Sequence, residues 1–322
     1  MYMENQLIIV MYHYVRNLAT SRYSQIKGLD LPQFEEQLYF FNKNYNVIKI
    51  EDILERKRIG KELPPNALLL TFDDGYIDHY TNCFPLLQQH GLQGTFFVSP
   101  QTFTENKVLD VNKIHLLLST ISIDELNNEL FNQIDQYRKT FQIDHTNGEF
   151  FEKYAVPNRY DNKEIIFFKR MLQKVLPTEI RKDILDFLFK QYMDISEDVL
   201  AQEMYMNLSQ IKTMKKDGMY FGIHGYSHMW MTHLKGEELS EEIEKSLIAM
   251  ETVIDKNNWI ISYPYGAFTR DTINIVQKQG CKLGVSIEPR VINLDNEDIF
   301  SLPRFDTNDF PPKSQKYIKR FV

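Results

Sequence analysis

Two adjacent carboxylates follow directly on an apolar run of the chain. Asp73 and Asp74 lie in the segment Thr-Phe-Asp-Asp-Gly at 71–75, after Ala-Leu-Leu-Leu at 67–70. The run does not alternate with polar residues, which is typical of a strand buried on both faces. Ionised groups beside such a strand are costly without compensating partners. The pair therefore either belongs to a functional site or marks a solvated strand end that turns at Gly75.

Two histidines four residues apart follow another apolar run. His224 and His228 lie in the segment His-Gly-Tyr-Ser-His at 224–228. Histidines at this spacing on a helix or turn can point the same way, as metal ligands do, although such a pair alone is more often structural. With Asp74 they would form an O/N/N ligand set that leaves a coordination position open for water, as in catalytic zinc sites.

A third segment, Ser-Tyr-Pro-Tyr-Gly at 262–266, also ends an apolar run. Pro264 and Gly266 fix an unusual turn, and a backbone N–H there could face a developing oxyanion. Taken alone, the segment is better explained as a plain strand-to-helix turn.

Short apolar runs predict the strands that must position these three segments. Helical patterns at 84–90, 238–256 and 269–279 alternate with them, and this alternation predicts parallel strands in a wound sheet or barrel. Active sites of parallel barrels assemble where the carboxyl ends of the strands meet. The predicted strands are 7–11, 67–72, 94–98, 219–223, 259–263 and 281–287.

A long segment in the middle of the chain interrupts this alternation. It shows no convincing strand, and its helical signals include the capping-box pair Ser122 and Glu125 before apolar residues at helical spacing. It is too long for a plain loop. We therefore predict an α/β chain in which 1–100 and 218–322 form a barrel, with a helical insertion at 101–217 that acts as a lid or a subunit contact.

The bulk composition excludes several classes of protein. The 322 residues are 43% hydrophobic and carry a formal net charge of -7, which gives no electrostatic case for a nucleic-acid partner. Only two cysteines occur, Cys83 and Cys281, so a disulfide framework is excluded. No apolar run approaches the roughly 20 residues that span a bilayer, and no signal-peptide pattern is visible. These features predict a cytoplasmic protein without a transmembrane segment.

The three segments together resemble the polysaccharide deacetylase family, whose members carry a NodB-homology domain similar to carbohydrate esterase family 4. T-F-D-D-G, H-x-x-x-H and Y-P-Y-G, in this order on successive predicted strands, carry the resemblance, which covers 5–100 and 218–310. It implies an irregular (β/α)7 barrel. It also implies a hydrolase that removes N-acetyl groups from amino sugars with zinc or another divalent metal such as Co2+, Ni2+ or Mn2+.

The resemblance implies a role for individual residues. Asp73 would be the base, and the backbone N–H of Tyr265 would help to form the oxyanion hole. A metal would polarise the amide carbonyl and lower the pKa of water towards ~7. The metal ligands would be Asp74, His224 and His228. The residues that contact the substrate would be Tyr226, Pro264 and Gly266.

Two departures from the family pattern leave the tuning of the base and the identity of the acid open. Many members have an arginine where Ser262 stands, and a late Leu-x-His where 302–304 reads Leu-Pro-Arg. Arg304 could reach back to Asp73 and replace the missing arginine. Two acidic residues flank Arg304 and are either further partners of the site or plain loop charges: Asp306 and Asp309.

His13 is a candidate for the missing acid. It follows the first predicted strand in the segment Met-Tyr-His-Tyr-Val at 11–15. A similar Met-Tyr-His segment precedes the barrel in branches of the family that work on surface polysaccharides. A satisfied histidine at a strand end explains it equally well. His115 and a water held by Arg304 are competing proton donors.

The sequence thus predicts a metal-dependent N-deacetylase of an acylated amino sugar in polysaccharide or sugar-nucleotide metabolism. An N-deformylase of a formamido sugar is an alternative, because acyl size depends on pocket walls. Further alternatives are a metal-free amidohydrolase of the same fold and a non-catalytic carbohydrate-binding relative. The intact Asp73 argues against the last of these, because a binding module needs no base. The sequence leaves open whether the chain forms a homo-oligomer.

Overall fold

The computed structural model describes residues 6–158 and 160–316. The ends of the predicted barrel, 1–5 and 317–322, lie outside the described residues. Within the described part, the chain forms two compact units, one built around a sheet and one built of helices. The sheet unit consists of 6–17, 28–107 and 201–316, and the helical unit consists of 18–27 and 108–200.

The sheet unit contains one main sheet and a small two-stranded sheet. The strands are β1 (Gln6–Tyr12), β2 (Val15–Arg16), β3 (Leu29–Asp30), β4 (Asn46–Val47), β5 (Ala67–Phe72), β6 (Thr95–Val98), β7 (Tyr220–Ile223), β8 (Trp259–Ser262), β9 (Cys281–Val285), β10 (Ile292–Asn293) and β11 (Phe305–Asp306). The main sheet has the order β10-β1-β5-β6-β7-β8-β9, with β4 beside β5 and β11 beside β1, while β2 pairs with β3.

The central strands of the main sheet are all parallel. Each neighbouring pair from β1 to β9 in that order runs in parallel, whereas β10 is antiparallel to β1. The six predicted strands are therefore confirmed, with small differences at their ends. Because the strands are parallel, their carboxyl ends lie along one edge of the sheet.

Both faces of the sheet are buried, which explains why its strands do not alternate in polarity. In β1, Leu7 and Ile9 belong to one hydrophobic cluster, and Ile8 and Val10 belong to another. Every residue of β5 is buried as well. The second of these clusters also holds apolar residues of the helices that cover the sheet.

The segment 302–306 continues the hydrogen bonding from β9 to β1. The N–H of Leu302 donates to the carbonyl of Gly284 at 2.9 Å, and the N–H of Ser286 donates to the carbonyl of Leu302 at 2.7 Å. A few residues later, β11 pairs in parallel with β1. The structure thus confirms a mixed α/β fold with a curled parallel sheet, while the exact (β/α)7 barrel stays a prediction.

Helices follow most of the strands of the sheet unit and make up nearly all of the helical unit. They are α1 (Leu31–Asn44), α2 (Ile50–Ile59), α3 (Phe84–Gln89), α4 (Gln101–Thr104), α5 (Asp110–Thr120), α6 (Ile123–Tyr137), α7 (Asn147–Tyr154), α8 (Lys163–Arg170), α9 (Thr178–Tyr192), α10 (Glu197–Met204), α11 (Leu208–Lys216), α12 (Glu237–Ala249) and α13 (Arg270–Lys278). None of the described helices is both long and apolar enough to cross a bilayer.

The helical unit has its own hydrophobic core, which α5, α6, α8 and α9 share. The side chain of Ser122 accepts a hydrogen bond from the N–H of Glu125 and begins α6, as the capping pair predicts. The unit also includes 18–27, which is far from 108–200 in the sequence. Lys27 of this segment and Lys169 both donate hydrogen bonds to buried Asp161. The helical unit begins at 108 and ends at 200, where 101 and 217 were predicted, because α4, α11 and part of α10 belong to the sheet unit.

Candidate active site

The three segments selected from the sequence meet at the carboxyl edge of the sheet. Asp73 and Asp74 follow β5, His224 follows β7, and Ser262 ends β8. In the sheet β6 lies between β5 and β7, and β8 is next to β7. All of these strands are parallel. The strand ends therefore bring residues close together that are far apart in the sequence.

Asp74, His224 and His228 place three donor atoms around one point. Oδ1 of Asp74 lies 3.4 Å from Nε2 of His224 and 3.3 Å from Nε2 of His228. Atoms of all three residues lie within 4.8 Å of one another, and all three side chains are buried. Oδ1 of Asp74 accepts no hydrogen bond within the described residues. One carboxylate and two imidazoles converging in this way fit a divalent cation.

The charges of the three residues suit a cation as well. Burial alone would raise the pKa of Asp74, but the two neighbouring imidazoles hold it well below its usual value. Burial lowers the pKa of His228, which favours the neutral imidazole that metals bind. For His224, burial is outweighed by Asp73 and Asp74, which raise its pKa.

The backbone is strained at one residue in each of the three segments. Asp74, His228 and Tyr265 have φ values of 74°, 59° and 57°, in the left-handed region that only a few per cent of residues other than glycine adopt. Such residues cost on the order of 1 kcal/mol each and cluster at functional sites. Gly75 supplies a further positive φ, and an added Cβ there would approach Val98 to 2.9 Å.

Asp73 is held by Arg304 and Ser262. Nη1 and Nη2 of Arg304 donate to Oδ1 and Oδ2 of Asp73 at 2.8 and 2.6 Å, and the Ser262 hydroxyl donates to Oδ2 at 3.1 Å. Burial alone would raise the pKa of Asp73, but the Arg304 guanidinium, helped by His224, brings it down to about 2. Asp73 is therefore ionised throughout the neutral range.

Ser262 connects Asp73 to His224. Its hydroxyl accepts from Nη2 of Arg304 at 2.8 Å while it donates to Asp73. Its carbonyl accepts from Nδ1 of His224 at 2.7 Å. Because a carbonyl can only accept, Nδ1 carries the proton and Nε2 is left as the nitrogen that faces Asp74.

The predicted proton donors and the acidic residues near Arg304 lie in different parts of the chain. His13 follows β1, its carbonyl accepts from Nε2 of His79 at 2.9 Å, and its charge is among the smaller influences that lower the pKa of Asp73 and Asp74. His115 lies in the helical unit. Two acidic residues cap a short turn with their side chains: Asp306 and Asp309.

Aromatic rings surround the third segment. The ring of Tyr265 lies edge-on to His228, with 4.8 Å between centroids, and stacks on Trp230 at 4.4 Å and an angle of 10°. Pro264 is buried, and a Cβ at Gly266 would meet Ile287. The predicted roles of these residues towards an oxyanion or a substrate stay predictions.

Tyr226, predicted to contact the substrate, has protein partners at its hydroxyl. The hydroxyl donates to Oε1 of Glu105 at 2.6 Å and lies 2.9 Å from Oγ1 of Thr104. The backbone carbonyl of Tyr226 accepts from the N–H of Gln101 at 3.0 Å. These contacts tie the loop between the two histidines to α4.

Three residues of the site were missed in the sequence. Tyr76 donates its hydroxyl to Oδ2 of Asp74 at 2.5 Å. Oε1 of Glu242 accepts from the N–H and hydroxyl of Ser227 at 2.7 and 2.9 Å. Trp230 stacks on Tyr265. Tyr76 lies two positions after Asp74 and Trp230 two positions after His228, so their closeness to predicted metal ligands in the sequence could have pointed to them. Glu242 has no such position in the sequence.

The sequence profile of the family described as "Polysaccharide deacetylase" matches residues 60–136 and 174–284, which is more than half of the chain. The chain belongs to the polysaccharide deacetylase family. The matched residues include parts of the predicted helical insertion and omit the first predicted strand, so they differ from the range inferred from the motifs. Membership agrees with the order of the three segments and with their convergence at one edge of the sheet.

Relatives of the family are similar to this chain over part of their length. A poly-beta-1,6-N-acetyl-D-glucosamine N-deacetylase of Escherichia coli strain K12 is 37% identical over 86 residues, which are 26% of this chain and 12% of the relative. The chain thus spans only a small fraction of that protein.

Two solved structures are similar over nearly the whole fold. Streptococcus pyogenes deacetylase PplD, in complex with acetate, superimposes with a TM-score of 0.61 at 16% identity, covering 99% of this chain and 100% of that one. IcaB from Ammonifex degensii gives a TM-score of 0.55 at 16% identity, covering 98% and 96%. At such identities the likeness shows the shared fold.

Proposed function

We propose that this member of the family is a metal-dependent hydrolase that removes the N-acetyl group from an amino sugar during surface-polysaccharide biosynthesis. The observation that carries the proposal is that the two neighbouring carboxylates have different partners. Asp74 faces two imidazoles, whereas Asp73 beside it is neutralised by Arg304 and remains outside the ligand set. A catalytic metal site needs both a ligand set and a separate base. The N-acetylglucosamine deacetylase from E. coli supports the choice of substrate class.

In the proposed reaction water adds to the amide carbon, a C–O bond forms and the C–N bond breaks, giving acetate and a free amine. Asp73 accepts a proton from the attacking water. Its Oδ2 lies 4.0 Å from Nε2 of His224, so the base sits beside the ligand set without belonging to it. Arg304 and Ser262 hold the plane of the carboxylate, which keeps it in position for this transfer.

The low pKa of Asp73 sets a condition on this mechanism. A carboxylate with a pKa of about 2 is always ionised near neutrality but is a weak base. A divalent metal held by Asp74, His224 and His228 would polarise the amide carbonyl and make water much more acidic. Asp73 then has to accept a proton only from an acidified water, for which a weak base is sufficient.

Cleavage of the C–N bond requires a proton on the departing nitrogen. We propose His13 as the donor, since it emerges at the same edge as Asp73, whose N–H donates to the carbonyl of Tyr12 at 2.9 Å. We propose the backbone N–H of Tyr265 as a donor to the developing oxyanion. Tyr265 has a left-handed backbone conformation, and its ring lies beside His228 and stacks on Trp230. Each of these groups acts at a different atom of the amide.

Three further predictions accompany this function. The sheet would be the irregular (β/α)7 barrel of the family, which the hydrogen bonds of 302–306 to both β9 and β1 support. The helical unit would act as a lid or as a subunit contact. The protein would work in the cytoplasm on an acylated amino sugar.

Metal removal and restoration test the proposal directly. The purified protein is depleted with a chelator and then supplied separately with Zn2+, Co2+, Ni2+ or Mn2+. N-acetylglucosamine oligomers and their N-formyl counterparts are the substrates, and mass spectrometry detects loss of each acyl group. We expect deacetylation that disappears on depletion and returns with metal. His224→Ala should not recover. Equal turnover by depleted and restored protein would contradict metal dependence, and release of formate alone would indicate a deformylase.

A further inference from the structure

The two oxygens of the Asp74 carboxylate face different partners. Oδ1 points to the imidazoles of His224 and His228 at 3.4 and 3.3 Å. Oδ2 accepts the hydroxyl of Tyr76 at 2.5 Å, a length typical of a strong hydrogen bond to an ionised carboxylate. One oxygen is therefore directed to the cation site, and the other is occupied by the protein.

Tyr76 is held so that its hydroxyl has little freedom. Its side chain is fully buried between two other aromatic rings, Tyr14 at 4.0 Å and Tyr205 at 5.9 Å between centroids. Its backbone forms an antiparallel bridge with Tyr205. The carbonyl of the preceding Gly75 accepts from the N–H of Met206 at 2.9 Å. The hydroxyl is thus placed by packing on both faces of the ring and by the backbone on either side.

We propose that Tyr76 is a positioning residue that reserves Oδ2 of Asp74, so that the carboxylate binds the metal through Oδ1 alone. This inference rests on the proposed function, since it requires a metal at the three residues. Carboxylates bind cations through one or both oxygens, and a two-oxygen mode would fill a position that water or substrate must use. Hydrogen bonds to metal ligands typically change metal affinity 10–100-fold.

The substitution Tyr76→Phe removes the hydroxyl and keeps the ring. The matched control is Tyr12→Phe, which removes a fully buried hydroxyl that donates to Gln37 at 2.9 Å and that does not touch Asp74. Both variants lose a buried hydroxyl that donates a hydrogen bond. Only Tyr76→Phe frees an oxygen of the carboxylate ligand, so the pair separates a general loss of stability from a change at the cation site.

Two measurements on the full chain decide the question. Competition with a chelator gives the Zn2+ dissociation constant, for which we expect a 10–100-fold increase in Tyr76→Phe and no change in Tyr12→Phe. The visible absorption of the Co2+-loaded protein reports coordination number, because Co2+ with more ligands absorbs more weakly. We expect weaker absorption for Tyr76→Phe only. Titrations are made at a temperature at which circular dichroism shows all variants folded.

The outcomes distinguish this inference from the proposed function. Wild-type protein that binds neither Zn2+ nor Co2+ would contradict the metal-dependent function itself. Wild-type protein that binds both, with the same affinity and the same Co2+ spectrum in Tyr76→Phe, would overturn only the role of Tyr76. An equal loss of affinity in Tyr12→Phe would also overturn it, because the effect would then be one of general stability.

Discussion

Arg304 and Asp73 form a two-point ion pair between residues that are 231 positions apart in the chain. The Arg304 side chain is completely buried, and its Nε also donates to the carbonyl of Ser286 at 2.8 Å. The guanidinium thus ties the end of β9, the loop before β11 and the residue after β5 together. Since removing one partner of a buried pair leaves an uncompensated charge, this contact is both a structural and a chemical feature of the site.

The two neighbouring aspartates should respond differently to the same substitution. Asp73→Asn keeps the shape of the side chain but cannot accept the proton, so we expect kcat to fall ~10²–10⁴-fold with metal content unchanged. Asp74→Asn should instead lose metal, because an amide is a poor ligand. Metal analysis and deacetylation rates on both variants check this. Loss of metal from Asp73→Asn would mean that the roles are exchanged.

Replacement of Arg304 should change the acid side of the pH–rate profile. Arg304 lowers the pKa of Asp73 to about 2 against the effect of burial, so no acid limb from this group is expected near neutrality in the wild type. In Arg304→Met, the main influence that opposes burial is lost and the pKa of Asp73 should rise, so the acid limb of kcat/KM should move towards neutrality. Arg304→Lys keeps a positive charge but not the two-point contact, so its acid limb should lie between those of the wild type and Arg304→Met. An unshifted profile in Arg304→Met would contradict the pairing.

The same pair should contribute to stability only above acidic pH. The pKa of Asp73 is depressed in the folded chain from its usual 3.8 to about 2, so its contribution is present above about pH 4 and is lost as the pH falls towards 2. The shift corresponds to roughly 2 kcal/mol. Urea denaturation of the metal-free protein across this window should show a steeper decline for wild type than for Asp73→Asn. Parallel curves would argue against the depressed pKa.

His13→Ala tests the proton donor. If His13 protonates the departing nitrogen, the variant should bind metal normally and lose activity together with the alkaline limb of the pH–rate profile. His115→Ala tests the competing donor in the same way, and loss of activity with the alkaline limb in that variant alone would assign the role to His115. A near-normal rate in His13→Ala would transfer the role to another donor.

Glu242 should support the loop that carries His228. Its Oε1 accepts both the N–H and the hydroxyl of Ser227, which precedes the strained His228. Glu242→Leu removes this acceptor, and we expect metal affinity to fall on the order of 10-fold, whereas Glu242→Gln retains an oxygen and should lose less. Glu241→Leu, an exposed change on the same helix, is the control. Equal affinities in all three variants would exclude this role.

The sequence alone determined the elements and the segments of chemical interest. Long apolar runs such as β5 specify strands because their pattern is local and both faces are buried. The placement of Asp74, His224 and His228 at strand ends predicted their convergence because parallel strands end at one edge. Two-residue strands such as β2 and β4 were not predicted, because so short a segment has no recognisable period.

Only the tertiary structure decided how the side chains of the site are supported. The sequence allowed Arg304 to reach Asp73, but the two-point contact and the bridging Ser262 depend on how 302–306 packs between β9 and β1. The selection of one Asp74 oxygen by Tyr76 and the support of a distant loop by Glu242 have no local pattern. Such contacts depend on the packing of elements far apart in the sequence. A periodic pattern fixes which residues face the core, and three-dimensional packing fixes which atoms meet there.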